Sequence, residues 1–372
     1  MIADDQADVR DALRLALRPD GYAIEQVLSP AAVLDAVRQS RFDLALLDLN
    51  YARDTTSGRE GLDLIERVRE IDADLPIVVM TGWASIELAV EALQRGAGDF
   101  VQKPWENTAL RAILRTQLER GLARREARSR ELRNEREWTE ASAAQRMLLP
   151  REVPALPGFE LAAASRPAGT LSGDYYELLP LGDGRVLVCV GDVCGKGAGA
   201  ALLMANLQAA VKACAEQEVH PAGLCRRVNR ILCENVEPGR FVTLFCAVLD
   251  TARRNLTYVN AGHNAPLVAR ANGSLLRLSD GGPVLGEFAD WSAAQGAIEL
   301  LPGDRLILYT DGVTEAQNSN GEEFGEERLA RFVSDHRRLP ASELHARALA
   351  ESARFAGGSF SDDVTLLILA AT

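Results

Sequence analysis

Aspartates at five positions in the second half of the chain have the surroundings of metal ligands. Asp174, Asp192, Asp311 and the pair Asp362 and Asp363 each lie beside glycine, serine or a second aspartate, where predicted strands begin or end. Carboxylates are hard oxygen ligands that suit Mg²⁺ or Mn²⁺, and small neighbours let the backbone approach an ion. Taken alone, each Asp-Gly pair is more typical of a turn. Taken together, the acids predict a centre in which one carboxylate bridges two ions about 4 Å apart, so that one site activates water and screens a phosphate.

A second group of polar residues occurs in the first 120 positions. Asp4 and Asp5, Asp48, Thr81 and Lys103 each follow a short β-rich run. Three crowded carboxylates repel one another unless a cation lies among them, and oxygen ligands favour magnesium. Lys103 adds a mobile positive charge that can pair with a phosphoryl oxygen. These residues predict a magnesium site that handles a phosphoryl group.

The stretch "GDVCGKGAGAALLMA" places Lys196 in a glycine-rich turn before an apolar helical run. A nucleotide-binding phosphate loop needs four residues between its glycines and a Ser or Thr after the lysine. Here three residues separate Gly191 from Gly195, and Gly197 follows Lys196. The spacing therefore argues against a phosphate loop, and it leaves Asp192 as the residue of interest.

Length and composition limit the classes of protein that fit. A chain of 372 residues exceeds one ordinary core and predicts two domains joined by a linker. The net charge of −12 disfavours nucleic-acid binding, which needs a basic surface. The six cysteines lack metal-ligand spacing and are interpreted as reduced core residues. Neither a signal peptide nor an apolar run of membrane-spanning length is evident, so we expect a cytoplasmic protein without a membrane partner.

The elements that position the first group of acids alternate between strand and helix. β-rich runs at "YAIEQV", "FDLALLDL", "LPIVVM" and "DFVQ" are separated by helical patterns at 31–39, 62–70 and 86–94, and a further helix is expected at 108–118. Alternation of this kind predicts a doubly wound parallel sheet with helices on both faces. Ligands bind such sheets at the carboxyl ends of the strands, where the polar residues lie.

After residue 158 the alternation stops. Strands are predicted at "RVLVCV", "FVTLFCAVLD", "LTYVNA", "PLVAR", "RLILYT" and "VTLLILA", and helices come in pairs at 198–214 with 221–234 and at 327–334 with 342–355. Helices grouped apart from consecutive strands predict antiparallel sheets with helices outside, as in a layered α-β-β-α sandwich.

The stretch between the two predicted domains, residues 110–147, is charged, lacks proline and has high helix propensity. A heptad phase through it is apolar at only half of its seam positions. Both a two-stranded coiled coil and a solvated single helix fit this pattern. The seam positions are Leu118, Leu122, Arg125, Ser129, Leu132, Arg136, Thr139 and Ala143.

The motifs "DD", "LLDL", "MTGWA" and "QKP", in that order, make residues 1–120 resemble the flavodoxin-like receiver domain of bacterial response regulators. A flavodoxin-like domain with incidental acids is the alternative. The resemblance implies that Asp48 is the phosphoacceptor and that Asp4, Asp5 and the Asn50 carbonyl help to hold Mg²⁺. It also implies a sensor histidine kinase as partner.

The same resemblance implies that Thr81 and Lys103 contact the phosphoryl group and that Phe100 occupies the place of the switch aromatic. One departure concerns the first strand, because only "MIA" precedes the acidic pair. Either the chain starts late, or the domain is less stable than its relatives.

Residues from about 140 to 372 resemble the SpoIIE-like phosphatases, a bacterial branch of the metal-dependent type 2C protein phosphatases. The resemblance rests on "AQRMLLP", "SGDYYE", "GDVCGKGAGAALLMA", "FVTLF", "NAGHNAP", "LPGDRLILYTDGVTEA", "FGEERL" and "DDVTLL". It implies that Asp192 bridges two Mn²⁺ or Mg²⁺ ions, with the Val193 carbonyl on the first ion and Asp311 and Asp362 on the second. Asp174 would hold a metal-bound water or a further ion.

Two assignments remain alternatives at this point. Asp363 competes with Asp362 as the ligand, and Asp362 is preferred. His263 in "NAGHNAP" is either a catalytic acid or a structural turn histidine. Lys196 is an electrostatic helper at most.

The sequence thus predicts a receiver domain (1–120), a helical linker (121–150) and a phosphatase domain (151–372). Receiver phosphorylation would control a protein serine/threonine phosphatase whose substrate is a phosphorylated STAS-domain anti-sigma factor antagonist, and the linker would form a homodimer. The alternatives are an inactive, phosphatase-like adaptor that binds a regulatory partner, and a phosphatase of small phosphomonoesters. No metal-site acid is missing, which disfavours the adaptor.

Overall fold

The computed structural model describes residues 1–51, 59–82, 86–237 and 239–372. These residues form two compact units, Met1–Glu135 and Arg136–Thr372. Residues 52–58, 83–85 and 238 lie outside the described residues, and they include Trp83 and Ala84 of the "MTGWA" motif.

The first unit contains a five-stranded parallel sheet with the strand order β2-β1-β3-β4-β5. Each strand is followed by a helix, which confirms the predicted doubly wound architecture. The elements are β1 (Ile2–Ala3), α1 (Ala7–Leu17), β2 (Gln26–Val27), α2 (Pro30–Gln39), β3 (Ala45–Asp48), α3 (Arg59–Ile71), β4 (Ile77–Thr81), α4 (Ile86–Gln94), β5 (Asp99–Gln102) and α5 (Asn107–Arg146).

Buried residues alternate between the two faces of this sheet. Leu47 and Val79 belong to one apolar cluster, and Leu46 and Val78 belong to the other. A parallel sheet needs apolar cover on both faces, so its strands read as nearly continuous apolar runs. Strand β1 has only two residues, yet it lies between β2 and β3 in the middle of the sheet.

Helix α5 is 40 residues long, and the boundary between the two units falls within it. Its first turns pack on the first unit through Leu110 and Leu114. Arg125 of the heptad seam is half-buried and forms ion pairs with Asp43 and Asp72. Residues 131–140 are exposed along their whole length.

The second unit contains two sheets. One has the order β13-β10-β9-β8-β7, with β14 also paired to β10, and the other has the order β12-β11-β15-β16-β6. The strands are β6 (Phe159–Arg166), β7 (Tyr175–Gly182), β8 (Arg185–Val193), β9 (Val242–Asp250), β10 (Asn255–Ala261), β11 (Leu267–Ala269), β12 (Leu275–Arg277), β13 (Gly281–Gly282), β14 (Gly296–Glu299), β15 (Arg305–Tyr309) and β16 (Val364–Ala371). The helices are α6 (Ala198–Ala215), α7 (Pro221–Asn235), α8 (Asp311–Thr314), α9 (Glu326–Asp335) and α10 (Ala341–Phe355).

Side chains of alternating direction build the four layers of this unit. In β8, Leu187 and Cys189 face α6 and α7, whereas Val188 and Val190 face the second sheet. The far side of the second sheet packs against α9 and α10. These contacts confirm the predicted α-β-β-α sandwich, and they bring strand ends from both sheets to one edge.

Helix α6 is long and apolar enough to span a membrane by length and composition. The expectation that the sequence contains no such run was therefore too strict. Ten of its residues, including Met204 and Leu207, are buried in the sandwich core. This burial accounts for its apolar composition.

Candidate active site and receiver site

Glycines bring three strand ends together in the second unit. A side chain on Gly312, in the first turn of α8, would collide with the backbone carbonyl of Asp363. A Cβ on Gly173 would lie 3.1 Å from the Val193 carbonyl oxygen and 3.5 Å from Oδ1 of Asp192. These approaches place the ends of β8 and β15, the start of β16 and the loop before β7 around one point.

At this point Asp192 and Asp311 are close enough for their negative charges to repel each other. Burial raises the pKa of Asp192 to about 7, with Asp311 and Asp362 as the next causes. The pKa of Asp311 is also raised, by burial and then by Asp362. Carboxylates that repel each other in a partly buried site favour a cation among them.

The adjacent aspartates of "SDDVTLL" have different surroundings. Both oxygens of Asp363 accept backbone hydrogen bonds, from Ala168 N at 2.8 Å and Gly173 N at 2.7 Å. The side chain of Asp362 is 36% exposed, and its Oδ2 forms an ion pair with Lys196 Nζ at 2.9 Å. Asp363 thus holds both ends of the loop between β6 and β7, whereas one oxygen of Asp362 is paired with an exposed lysine.

Asp174 is almost fully buried, at 1% exposure, and burial raises its pKa well above the usual range. Its Oδ2 accepts a hydrogen bond from Thr310 Oγ1 at 2.7 Å, and Thr310 Oγ1 in turn accepts one from Thr365 N at 2.9 Å. Thr310 immediately precedes Asp311. One threonine therefore connects Asp174 with the start of α8, where Asp311 lies.

The phosphatase acids are too far apart, as they stand, for three of them to bind one ion. Among the described residues, no three of the phosphatase acids bring ligand oxygens within 4.8 Å of one another. Side-chain rotation would have to bring Asp192, Asp311 and Asp362 onto a shared ion. The all-oxygen donor set and the mutual repulsion of the carboxylates fit Mg²⁺ or Mn²⁺.

His263 lies next to this site rather than at its surface. Its Nδ1 is 2.8 Å from Thr243 Oγ1, and Thr243 pairs with Asp192 in the β8–β9 register. Burial lowers the pKa of His263 to about 4. A buried neutral imidazole bonded to a threonine suits the structural alternative better than that of a catalytic acid.

Gln145, near the end of α5, contacts the loop before Asp174. Its Nε2 donates to the Ser172 carbonyl at 2.7 Å, and its Oε1 accepts from Ser172 N at 2.9 Å. Ser172 Oγ in turn accepts a hydrogen bond from Asp174 N at 3.1 Å. Sequence reasoning missed Gln145, Ser172 and Thr310 as individual residues, although all three lie within the motifs that it singled out.

In the first unit, the predicted polar residues meet at the carboxyl edge of the sheet. Lys103 Nζ lies 2.7 Å from Asp4 Oδ2 and 3.0 Å from Asp48 Oδ2. Asp4, Asp5 and Asp48 each offer one oxygen within 4.8 Å of the others. Burial raises the pKa of Asp48, and Lys103 opposes that shift.

The remaining receiver positions differ in burial and in hydrogen bonding. Oδ1 of Asp5 and Oδ1 of Asn50 are buried without a hydrogen-bond partner in the described structure. Such orphaned oxygens beside three carboxylates fit a cation. Thr81 is buried at the end of β4, and Phe100 in β5 is 37% exposed.

Together the two units define a class of protein, a response regulator that carries a type 2C phosphatase domain. The chain belongs to the stage II sporulation protein E (SpoIIE) family, whose model matches residues 182–372. The model of the response regulator receiver domain matches residues 1–115.

Named relatives agree with this membership. Phosphoserine phosphatase RsbU of Bacillus subtilis is 30% identical over 231 residues, which cover 62% of this chain and 68% of that protein. Protein IcfG of Synechocystis sp. is 30% identical over 224 residues, which cover 53% of this chain and 35% of that protein. The chain therefore spans about a third of IcfG and two thirds of RsbU.

A solved structure supports the fold of the second unit. The SiaA-PP2C domain of Pseudomonas aeruginosa superposes with a TM-score of 0.58 at 23% identity and covers 64% of this chain and 97% of that chain. At this identity the similarity establishes the sandwich fold alone.

Proposed function

We propose that phosphorylation of Asp48 controls metal-dependent hydrolysis of phosphoserine or phosphothreonine in a protein substrate. The observation that carries the proposal is the convergence of Asp192, Asp311 and Asp362: burial and then the neighbouring carboxylates raise the pKa values of Asp192 and Asp311. Such a site needs divalent cations to be fully ionised near neutral pH. The receiver site of the same chain would supply the regulatory signal.

In the catalytic centre, Asp192 would bridge two Mn²⁺ or Mg²⁺ ions, the Val193 carbonyl would bind one ion, and Asp311 and Asp362 would bind the other. The bound ions would supply an activated water and neutralise the phosphate charge. Asp174, held by Thr310, would orient a water or a further ion.

Asp363 would position the loop before β7 rather than bind a metal ion, because both of its oxygens accept backbone hydrogen bonds. Lys196 would leave Asp362 when that carboxylate becomes a ligand, since one oxygen cannot hold both cations at close range.

In the receiver, Asp48 would accept a phosphoryl group from a sensor histidine kinase, with Mg²⁺ held by Asp4, Asp5, Asp48 and the Asn50 carbonyl. Lys103 lies between Asp4 and Asp48, so its ammonium is placed to pair with a phosphoryl oxygen. Thr81 would donate to the same group, and Phe100 would change its exposure when Thr81 moves.

The signal would travel through α5, which is continuous from 107 to 146. The two hydrogen bonds between Gln145 and Ser172 attach the end of the helix to the loop that contains Asp174. Leu122, Leu132 and Trp138 are exposed on this helix, and pairing of two such helices would bury them in a homodimer. Such pairing has two arrangements that phosphorylation can select, and we expect phosphorylation to activate.

The substrate would be a phosphorylated STAS-domain antagonist of an anti-sigma factor, as inferred from the family resemblance. Membership in the SpoIIE family and 30% identity to phosphoserine phosphatase RsbU support a phosphoprotein substrate. The acidic net charge of −12 supports the absence of a nucleic-acid partner. We expect the protein to act in the cytoplasm without a membrane partner.

The test uses the full chain, Mn²⁺ and a panel of phosphorylated STAS-domain proteins, with p-nitrophenyl phosphate as a generic ester. Release of phosphate from one panel member at a far higher kcat/KM than from the generic ester supports the proposal. Hydrolysis of the generic ester alone points to a small-molecule phosphatase. Tight binding of a panel member without any hydrolysis points to the adaptor.

A further inference from the structure

A cavity of about 300 Å³ lies at the amino-terminal edge of the receiver sheet, beside the residues that precede β4 and β5. It is lined by the backbone of 96–98 and by Arg69, Arg120 and Arg124. No lining residue is acidic. In a chain with a net charge of −12, three arginines around one cavity form a local concentration of positive charge.

Arg69 forms the fixed wall of this cavity. Its Nε and one terminal nitrogen donate to the Gly96 carbonyl at 3.0 and 2.7 Å. The other terminal nitrogen donates to the carbonyls of Ala73 at 2.9 Å and Leu75 at 2.6 Å. These four hydrogen bonds hold the guanidinium in one orientation and leave one N–H group for a further acceptor.

Arg120 and Arg124 are exposed and one helical turn apart on α5, so they lie on the same face of the helix. Neither has a carboxylate within 4.0 Å among the described residues. Their neighbours differ in this respect, because Arg125 pairs with Asp72, and Arg128 pairs with Asp74 at 2.9 Å. Asp72 and Asp74 thus form their ion pairs with Arg125 and Arg128, although their charges also reach Arg69.

Close packing fixes the distance between the helix and the sheet edge. A side chain on Gly121 would collide with the ring of Pro76. Gln117 donates through Nε2 to the Gly98 carbonyl at 3.0 Å. The backbone of α5 therefore cannot move away from the cavity without breaking these contacts, and the two arginines stay at its rim.

The charge of Arg124 also acts on the Arg69 guanidinium. Burial lowers the pKa of Arg69, and the charge of Arg124 is the next cause. Like charges held around one cavity are stabilised by an anion that binds between them. Planar guanidinium groups match the oxygens of a phosphate in a bidentate manner.

We propose that this cavity binds a small phosphate-bearing anion, with Arg69 as the fixed donor and Arg120 and Arg124 as the closing donors. The site is separate from the phosphoacceptor, because Asp48 lies at the carboxyl edge of the same sheet and the cavity lies at the amino edge. A bound anion fastens the 120–124 segment of α5 to the sheet. The proposal is independent of the phosphatase assignment.

Calorimetric titration of the full chain with inorganic pyrophosphate tests the proposal. EDTA is present throughout, so that metal-dependent phosphate binding at the two acidic sites does not contribute. The double variant Arg120→Met with Arg124→Met removes the closing donors. The control, Arg133→Met with Arg136→Met, removes the same charge from the exposed part of the same helix.

We expect saturable binding at one pyrophosphate per chain in the wild type and in the control. The cavity variant should lose at least about tenfold in affinity, because it loses charge-assisted hydrogen bonds worth that much each. Equal losses in the two double variants would show that pyrophosphate responds to helix charge alone. That result, or an absence of saturable binding to the wild type, overturns the proposal. Thermal unfolding of each variant verifies that the fold is retained.

Discussion

Gln145 and Ser172 are joined by two hydrogen bonds, one in each direction between the glutamine side-chain amide and the serine backbone. Ser172 Oγ accepts from the backbone N–H of Asp174. The end of the long helix is thereby connected to a buried carboxylate of the proposed catalytic centre through one intervening residue.

The first prediction concerns this connection. Gln145→Leu keeps the size of the side chain and removes both hydrogen bonds, so the Ser172 loop should loosen and Asp174 should lose its position. We expect Mn²⁺-dependent hydrolysis to fall about tenfold, as for other groups that orient metal ligands. Glu140→Gln, on the exposed part of the helix, is the control and should leave the rate unchanged. Equal rates in Gln145→Leu and the wild type would show that the contact has no functional role.

A second prediction concerns the centre itself. Asp192→Asn and Asp311→Asn remove carboxylates proposed to bind the ions, and each should lower turnover of p-nitrophenyl phosphate in Mn²⁺ by more than about 100-fold, beyond the range for outer-shell partners. Circular dichroism should show an intact fold. Normal turnover in either variant would exclude the proposed ligand set.

The burial of Asp192, together with the charges of Asp311 and Asp362, predicts how the metal-free protein responds to pH. Asp192 has a pKa of about 7 in the folded state and ionises near 4 in the unfolded chain. Between these values the folded state binds more protons, so the free energy of unfolding should fall as the pH rises. Ionisation of Asp192 should lower the free energy of unfolding by roughly 1–4 kcal/mol.

Urea unfolding in EDTA at pH 5 and pH 8 measures this dependence. Asp192→Asn should reduce the loss of stability between the two pH values. If the variant loses as much stability as the wild type, Asp192 is not the source of the pH dependence.

A fourth prediction concerns the receiver. In Mg²⁺, a small phosphodonor should add one phosphoryl group to Asp48, because Lys103 lies 3.0 Å from its Oδ2 and can neutralise the added charge. Intact-mass measurement should detect the adduct on the wild type and not on Asp48→Ala. Equal addition to both proteins would place the phosphoryl group elsewhere.

The last prediction concerns the coupling between phosphorylation of Asp48 and phosphate hydrolysis. Replacement of residues 130–138 by glycine and serine leaves the ion pairs of Arg125 and Arg128 with the receiver intact and removes the continuous helix. Phosphorylation of Asp48 and basal hydrolysis should both persist, but phosphorylation should no longer change the hydrolytic rate. A chimera that responds as strongly as the wild type would contradict a helical relay.

The sequence by itself determined the two folds. Alternating strand and helix patterns predicted the parallel sheet, and grouped strands predicted the sandwich, because buried faces impose their period on the sequence. The first strand, Ile2–Ala3, lies within the short "MIA" run. Strands β6 and β7 were not predicted, since their mixed residues lack a clear alternation.

Only the tertiary structure decided how the acids differ. Asp362 and Asp363 are adjacent and identical in type, yet the backbone amides of Ala168 and Gly173, 195 and 190 positions away in the chain, hold the Asp363 carboxylate. The roles of Thr310 toward Asp174 and of Gln145 toward Ser172 likewise depend on contacts across more than 20 positions of chain. Local periodicity reports which face of an element is buried. It contains no information on which distant hydrogen-bond donor will meet a given carboxylate, because that is set by how the layers pack.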